Sequence, residues 1–173
     1  MIRGNYKSFF VFIILAVVSA GCNMIYKNVP FVPIPPQPIS GAVEIGGDWK
    51  EIAPPQPLEP LGATNWISLG YAGYKDFKSV KVNKENILEL ADGRSTKVEA
   101  FLYDDQGKSY ELELNQTSDG PKLYKKGAMK MVDGKPDYSE TMFPADRKFT
   151  KLKIRSDIAL KLEKIEWIGS NPK

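Results

Sequence analysis

Two runs, Lys97 to Tyr103 (KVEAFLY) and Lys108 to Asn115 (KSYELELN), alternate apolar and polar residues on either side of Asp104-Asp105-Gln106-Gly107. Alternation of period two places successive side chains on opposite faces of a strand. An Asp- and Gly-rich link between two such runs predicts a β-hairpin. In the second run Tyr110, Leu112 and Leu114 share one face and Glu111 and Glu113 the other, the pattern of a half-buried strand. Near the C-terminus, Lys148 to Arg155 (KFTKLKIR) sets Leu152 and Ile154 against Lys151, Lys153 and Arg155. Ile158, Leu160 and Leu162 then follow one parity, whereas Ile165 and Trp167 follow the other. A slip of one residue would turn half of this apolar set towards water, so it predicts a bulge or bend between Leu162 and Ile165.

Upstream the signals are shorter. Val43 to Ile52 (VEIGGDWKEI) predicts a weak first strand that contains Trp49; Phe77, Val80 and Val82 begin another, and Ile87 to Leu90 a third that ends at Asp92-Gly93. Further turns are marked by Asp119-Gly120-Pro121 and Asp133-Gly134, and Gly127 to Ala145 reads as a long irregular loop. No stretch sustains helical periodicity. The fold class predicted is all-β, an antiparallel β-sandwich of jelly-roll type.

The N-terminus is different in kind. Arg3 and Lys7 precede an apolar run, Phe9 to Val18, that leads into Ser19-Ala20-Gly21-Cys22, the layout of a secretory signal peptide. The run is shorter than the roughly 18 to 20 residues a spanning helix needs. The stretch resembles the lipobox of bacterial lipoprotein signals, although Ser19 stands where an aliphatic residue is commoner. That resemblance implies removal of residues 1–21 and acylation (palmitate) of Cys22, which attaches the mature chain to a membrane through its N-terminal lipid. Asn23 stands where Asp would mark retention at the inner membrane, so the expected location is the outer membrane of the cell envelope. Residues 22–42 carry Pro30, Pro33, Pro35, Pro36 and Pro38, which favour extended polyproline II and predict a semi-rigid tether. Residues 43–173 remain as the single β-sandwich domain.

Composition narrows the chemistry. The chain has 24 Lys+Arg and 21 Asp+Glu; without Arg3 and Lys7 the mature part keeps 22 basic residues against those 21, so no electrostatic pull towards nucleic acid is expected. Histidine is absent and Cys22 is the single cysteine. A Ser-His-Asp triad, a Cys-His dyad and zinc sites built on His and Cys are therefore excluded. What stays open to an enzyme is carboxylate chemistry, a Ser-Lys pair or a hard cation held by oxygen ligands, and no spacing of Asp and Glu selects the carboxylate pair of a glycoside hydrolase.

Trp66-Ile67-Ser68-Leu69-Gly70, the Asp-Gly hairpin and the closing Lys164-Ile165-Glu166-Trp167 together resemble jelly-roll sandwiches of the galactose-binding-domain-like type, over about residues 45 to 169. This resemblance implies a carbohydrate or protein ligand at the loop end and, in some members, a structural calcium ion. On the residues themselves, Trp66, Tyr71 and Tyr74 beside Gly70 and Gly73 are the candidate sugar-stacking platform, against the ordinary role of aromatics as buried core. Trp49 and Trp167, inside apparent strands, read as core. Asp104 and Asp105 are the candidate calcium ligands, against their plain use in a turn. Lys148, Lys151, Lys153, Arg155, Lys161 and Lys164, with Lys122, Lys125 and Lys126, read either as a cationic face towards anionic envelope glycans or headgroups or, preferably, as a solvated sheet surface. The function expected is a non-catalytic envelope lipoprotein that binds a polysaccharide or surface protein; the alternatives are a scaffold that docks another envelope protein and a carboxylate-based glycoside hydrolase.

Overall fold

The computed structural model describes residues 34–170 apart from 63, 72–79, 84, 85, 118, 119, 129 and 138. Cys22, Tyr74, Phe77 and Asp119 lie outside the described residues, as does most of the segment read as signal and tether. The described chain is all-β. Its strands are β1 (Gln37–Ser40), β2 (Val43–Ile45), β3 (Lys50–Ile52), β4 (Thr64–Tyr71), β5 (Val80–Val82), β6 (Ile87–Leu90), β7 (Ser95–Asp104), β8 (Ser109–Thr117), β9 (Gly120–Lys125), β10 (Lys130–Val132), β11 (Lys135–Asp137), β12 (Phe149–Ser156) and β13 (Leu160–Ser170).

Eleven strands form one antiparallel sheet along the path β1-β13-β4-β9-β8-β7-β12-β3, with β2 also on β13 and the β5–β6 pair joined to the start of β7. Alternation decides which side faces the core. Ile67 and Leu69 of β4, Val98, Ala100 and Leu102 of β7, Tyr110, Leu112 and Leu114 of β8, and Leu152 and Ile154 of β12 all point into one buried cluster. Trp167 and Phe149 are its largest fully buried members and have no exposed surface.

The hairpin from β7 to β8 and the slip in β13 are where the sequence places them. Register shifts between Leu162 and Lys164 against β4, so that both Leu162 and Ile165 reach the core. Lys164 at this bulge lies opposite Gly70, where a Cβ would come within 2.8 Å of the Lys164 Cγ. A similar close approach occurs at Gly169, where a Cβ would meet the Leu61 carbonyl oxygen at 2.3 Å.

Two stretches differ from the sequence reading. Gln37–Ser40, in the segment read as tether, forms β1 because Ile39 is buried at 1 % exposure and anchors it against β13. Pro38 is tolerated because β1 ends the strand path, where a missing donor costs no ladder bond. Within Gly127–Ala145, β10 and β11 make a two-stranded hairpin through Asp133 (φ 51°) and Gly134 (φ 74°), the left-handed pair of a type I′ turn. Its strand positions are almost all exposed, so no buried face marks them in the sequence.

The N-terminal strands engage both ends of the main path. β1 and β2 pair with β13, β3 pairs with β12, and between them the Ser156 amide donates to the Gly46 carbonyl at 2.9 Å. Residues 37–52 thus cover the edges that β13 and β12 would otherwise expose.

Candidate functional site

The structure separates the residues that the sequence grouped. Trp66 and Tyr71 are five positions apart on β4, an odd step that sends their rings to opposite faces. Tyr71 faces the core at 8 % exposure, its hydroxyl has no hydrogen-bond partner among the described residues, and burial pushes its phenol pKa up. It is a core residue, and the expectation that it stacks on a ligand is corrected by this burial. Trp66 points outward but is half-covered: the Lys122 Nζ lies 4.7 Å from its ring centroid and Tyr124 is tilted against it at 6.1 Å. Its indole Nε1 is buried without a hydrogen-bond partner among the described residues. Trp66 and Tyr71 therefore do not form one platform.

The acidic turn is likewise spent on itself. Asp104 is buried, and its carboxylate accepts bonds from the amides of Gln106 (3.0 Å) and Lys108 (2.8 Å) and from the Tyr110 hydroxyl (3.0 Å). Burial opposes ionisation, yet these donors and nearby Arg147 hold the Asp104 carboxyl below its usual range. In turn Tyr110, desolvated and bonded to Asp104, has its pKa pushed up to about 12. Asp105 is exposed and uses its backbone amide on the Lys148 carbonyl at 2.8 Å. Adjacent in sequence, the two aspartates do not converge; among the described residues no three His, Cys, Asp or Glu side chains gather as a metal site.

A different constellation forms on the solvent side of β7, β12 and the residues leading into β3. On β7 the outward residues are Glu99, Phe101 and Tyr103; on β12 they are Lys151, Lys153 and Arg155, and the register pairs Tyr103 with Lys151, Phe101 with Lys153, and Glu99 with Arg155. Trp49 arrives from the far side of β12, with its ring 5.5 Å from that of Phe101. The read of Trp49 as core is thus corrected: Ile52 turns inward, so Trp49 and Glu51, on the other parity, face out.

Cations and rings interleave on this face. The Arg155 guanidinium lies 4.7 Å and the Lys153 Nζ 5.4 Å from the Trp49 ring, while the Lys151 Nζ is 4.6 Å from Tyr103. Such placement adds an electrostatic attraction between cation and ring. Glu51 sits 3.4 Å from Lys151 and 3.8 Å from Lys153; Glu99 accepts from Lys97 at 3.1 Å and from the Arg155 Nε at 2.6 Å. Bonds from Lys97 and Arg155 hold the Glu99 carboxyl below its ordinary range. Beside Phe101 the face continues into a groove of about 200 Å³ lined by Lys97, Glu99, Glu111, Glu113 and Lys126.

Comparison with protein families, curated proteins and solved structures finds no match to this chain.

Chemically, the face offers flat apolar rings beside fixed positive charge. The signal for it was present in the sequence as parity. Once Val98, Ala100 and Leu102 are assigned inward, Phe101 and Tyr103 must face out; once Leu152 and Ile154 are inward, the β12 cations stand opposite those rings.

Proposed function

We propose that this protein is a non-catalytic, lipid-anchored binding module of a bacterial cell envelope, and that its ligand is an envelope polysaccharide held on the face of Trp49, Phe101 and Tyr103. The observation that carries the reading is that Trp49, Phe101 and Tyr103 share the solvent side of one sheet, Trp49 with its ring 5.5 Å from that of Phe101, where burial in the core would be their ordinary fate. Sugar rings present apolar C–H faces that stack on such side chains, and a sheet holds the stacking geometry better than a loop. The anchor is Cys22, with the Pro-rich segment behind it as a spacer and the outer membrane as the expected location.

Two measurements test the two halves. In cells, Cys22→Ser is expected to move the protein from the membrane pellet to the soluble fraction and to abolish labelling by palmitate; unchanged membrane association would overturn the anchor. In co-sedimentation with purified surface-polysaccharide fractions, the chain is expected to bind saturably, Trp49→Ala to weaken binding at least tenfold, which corresponds to about 1.4 kcal/mol, and Trp66→Ala to leave it unchanged. No binding to any fraction, or binding indifferent to Trp49, would overturn the polysaccharide reading.

A second reading, docking of another envelope protein, has one observation in its favour. Met131 and Val132 at the β10–β11 hairpin are 62 % and 51 % exposed, and Met142 is 40 % exposed. Exposed apolar side chains of this size are the usual material of a protein contact.

A further inference from the structure

We propose that the polysaccharide recognised by the Trp49 face is acidic, carrying carboxylate or phosphate groups along its chain, and that Lys153 is the residue that selects for them. This rests on the polysaccharide reading of the same face. Four cations, Lys97, Lys151, Lys153 and Arg155, share two carboxylates, Glu51 and Glu99. In the adjoining groove Lys126 pairs with Glu111 and Glu113 adds one further carboxylate, so with the groove included five cations stand against four carboxylates and the excess of positive charge lies on the Trp49 side.

Lys153 is the least compensated of the four. Arg155 commits both Nε and Nη2 to Glu99, and Lys97 shares that carboxylate. Lys151 takes the nearer contact to Glu51, which leaves Lys153 with a carboxylate oxygen at 3.8 Å, beyond hydrogen-bond length. Lys153 also sits at the middle of the face, between Trp49 and its cross-strand partner Phe101. An acidic group there would meet an ammonium with free donors at the point where a sugar ring stacks.

Lys97 is as exposed as the surface lysines elsewhere, but the three cations of β12 are not arranged as a solubilising fringe. The side chains of Lys153, Lys151 and Arg155 are 30 %, 38 % and 38 % exposed, whereas those of Lys148, Lys164 and Lys130 elsewhere on the domain are 57 %, 59 % and 60 % exposed. Laid over rings, they have already lost much of the side-chain freedom that binding would otherwise cost. They also follow one strand at every second residue, about 7 Å apart at the usual rise, so they present a row of charge suited to a polymer with repeated acidic groups.

The test uses the purified full chain in detergent, titrated with polygalacturonate, with a phosphodiester-linked glycerol polymer, with neutral dextran, and with polyacrylate, a polyanion that has no sugar ring. Expected is binding to at least one of the two acidic polymers at least tenfold tighter than to dextran, weakening as salt rises from about 0.05 to about 0.5 M. Which acidic polymer wins identifies the carboxylate or the phosphate as the group read. Lys153→Met, which keeps an apolar stem against Trp49, is expected to cut the preference for acidic polymer over dextran about tenfold with thermal unfolding unchanged. Equal affinity for dextran and the acidic polymers, or a preference untouched by Lys153→Met, would overturn the acidic assignment while the polysaccharide reading stands. Binding to none of the polymers would overturn both. Equal binding to polyacrylate, indifferent to Trp49→Ala, would also overturn the proposal by showing a response to charge alone.

Discussion

Trp167→Ala is expected to lower the unfolding free energy by about 3–5 kcal/mol, the range for deleting a large buried aromatic. Trp167 has no exposed surface and packs edge-on against Phe143 at 5.0 Å and tilted against Phe149 at 5.5 Å. Its Nε1 donates to the Glu59 carbonyl at 2.8 Å, tying the linker before β4 to the closing strand. Domains of this size hold about 5–15 kcal/mol in all, so the variant should retain only a fraction of folded protein at 37 °C. Urea unfolding followed by tryptophan fluorescence and far-ultraviolet circular dichroism measures the loss. Trp167→Phe separates the contributions: it keeps much of the ring packing and forfeits the bond to Glu59. A loss below about 1 kcal/mol for Trp167→Ala would contradict the packing described.

The second large effect is expected at Asp104. Asp104→Ala removes the acceptor for two backbone amides and strands the buried Tyr110 hydroxyl. Hydrogen bonds to a charged group contribute about 1.5–3 kcal/mol, and a net cost of about 3 kcal/mol is expected after the remaining amides find water. The effect depends on pH in a defined direction. Because the folded-state pKa of Asp104 is lowered, its contribution is complete above the unfolded value of about 3.9 and is lost as pH falls through the folded value. The difference in stability between wild type and Asp104→Ala should therefore be constant near neutrality and shrink below about pH 4. A gap that persists unchanged into strong acid would show that the carboxylate's ionisation does not matter to the turn. On the alkaline side, Tyr110 favours its neutral form when folded, so wild-type stability is expected to fall as pH rises from 10.0 towards about 12.

These two residues show how legibility followed local pattern. The Asp104–Gly107 turn was readable because hairpin chemistry is local, and the bulge after Leu162 because a change of parity leaves Ile165 and Trp167 no other way inward. The all-β class followed from the same alternation. Trp49, Phe101 and Tyr103 were legible one at a time as outward positions, but their meeting was not. It depends on β12 lying between β3 and β7, and that order is set by long-range pairing which alternation does not encode. Trp66 and Tyr71 misled for the opposite reason: closeness in sequence suggested one platform, whereas an odd spacing on a strand divides them between core and solvent. The Pro-rich composition hid β1, since a single buried side chain, Ile39, outweighs the local preference once β13 is there to receive it.

That last dependence has a consequence for how the domain is made. Gln37 and Pro38 pair with Trp167 and Glu166, so the first strand of the domain completes its bonds on the last one. On the proposed export the chain crosses the membrane N-terminus first, and β1 has no partner until β13 has followed it across. Pairing between distant parts of a chain also demands that the entropy of closing a long loop be met before the contacts return it. Final closure should then be a late and slow step, and a chain truncated before Leu160 should keep the β7–β8 hairpin while leaving β1 and β2 without a seat.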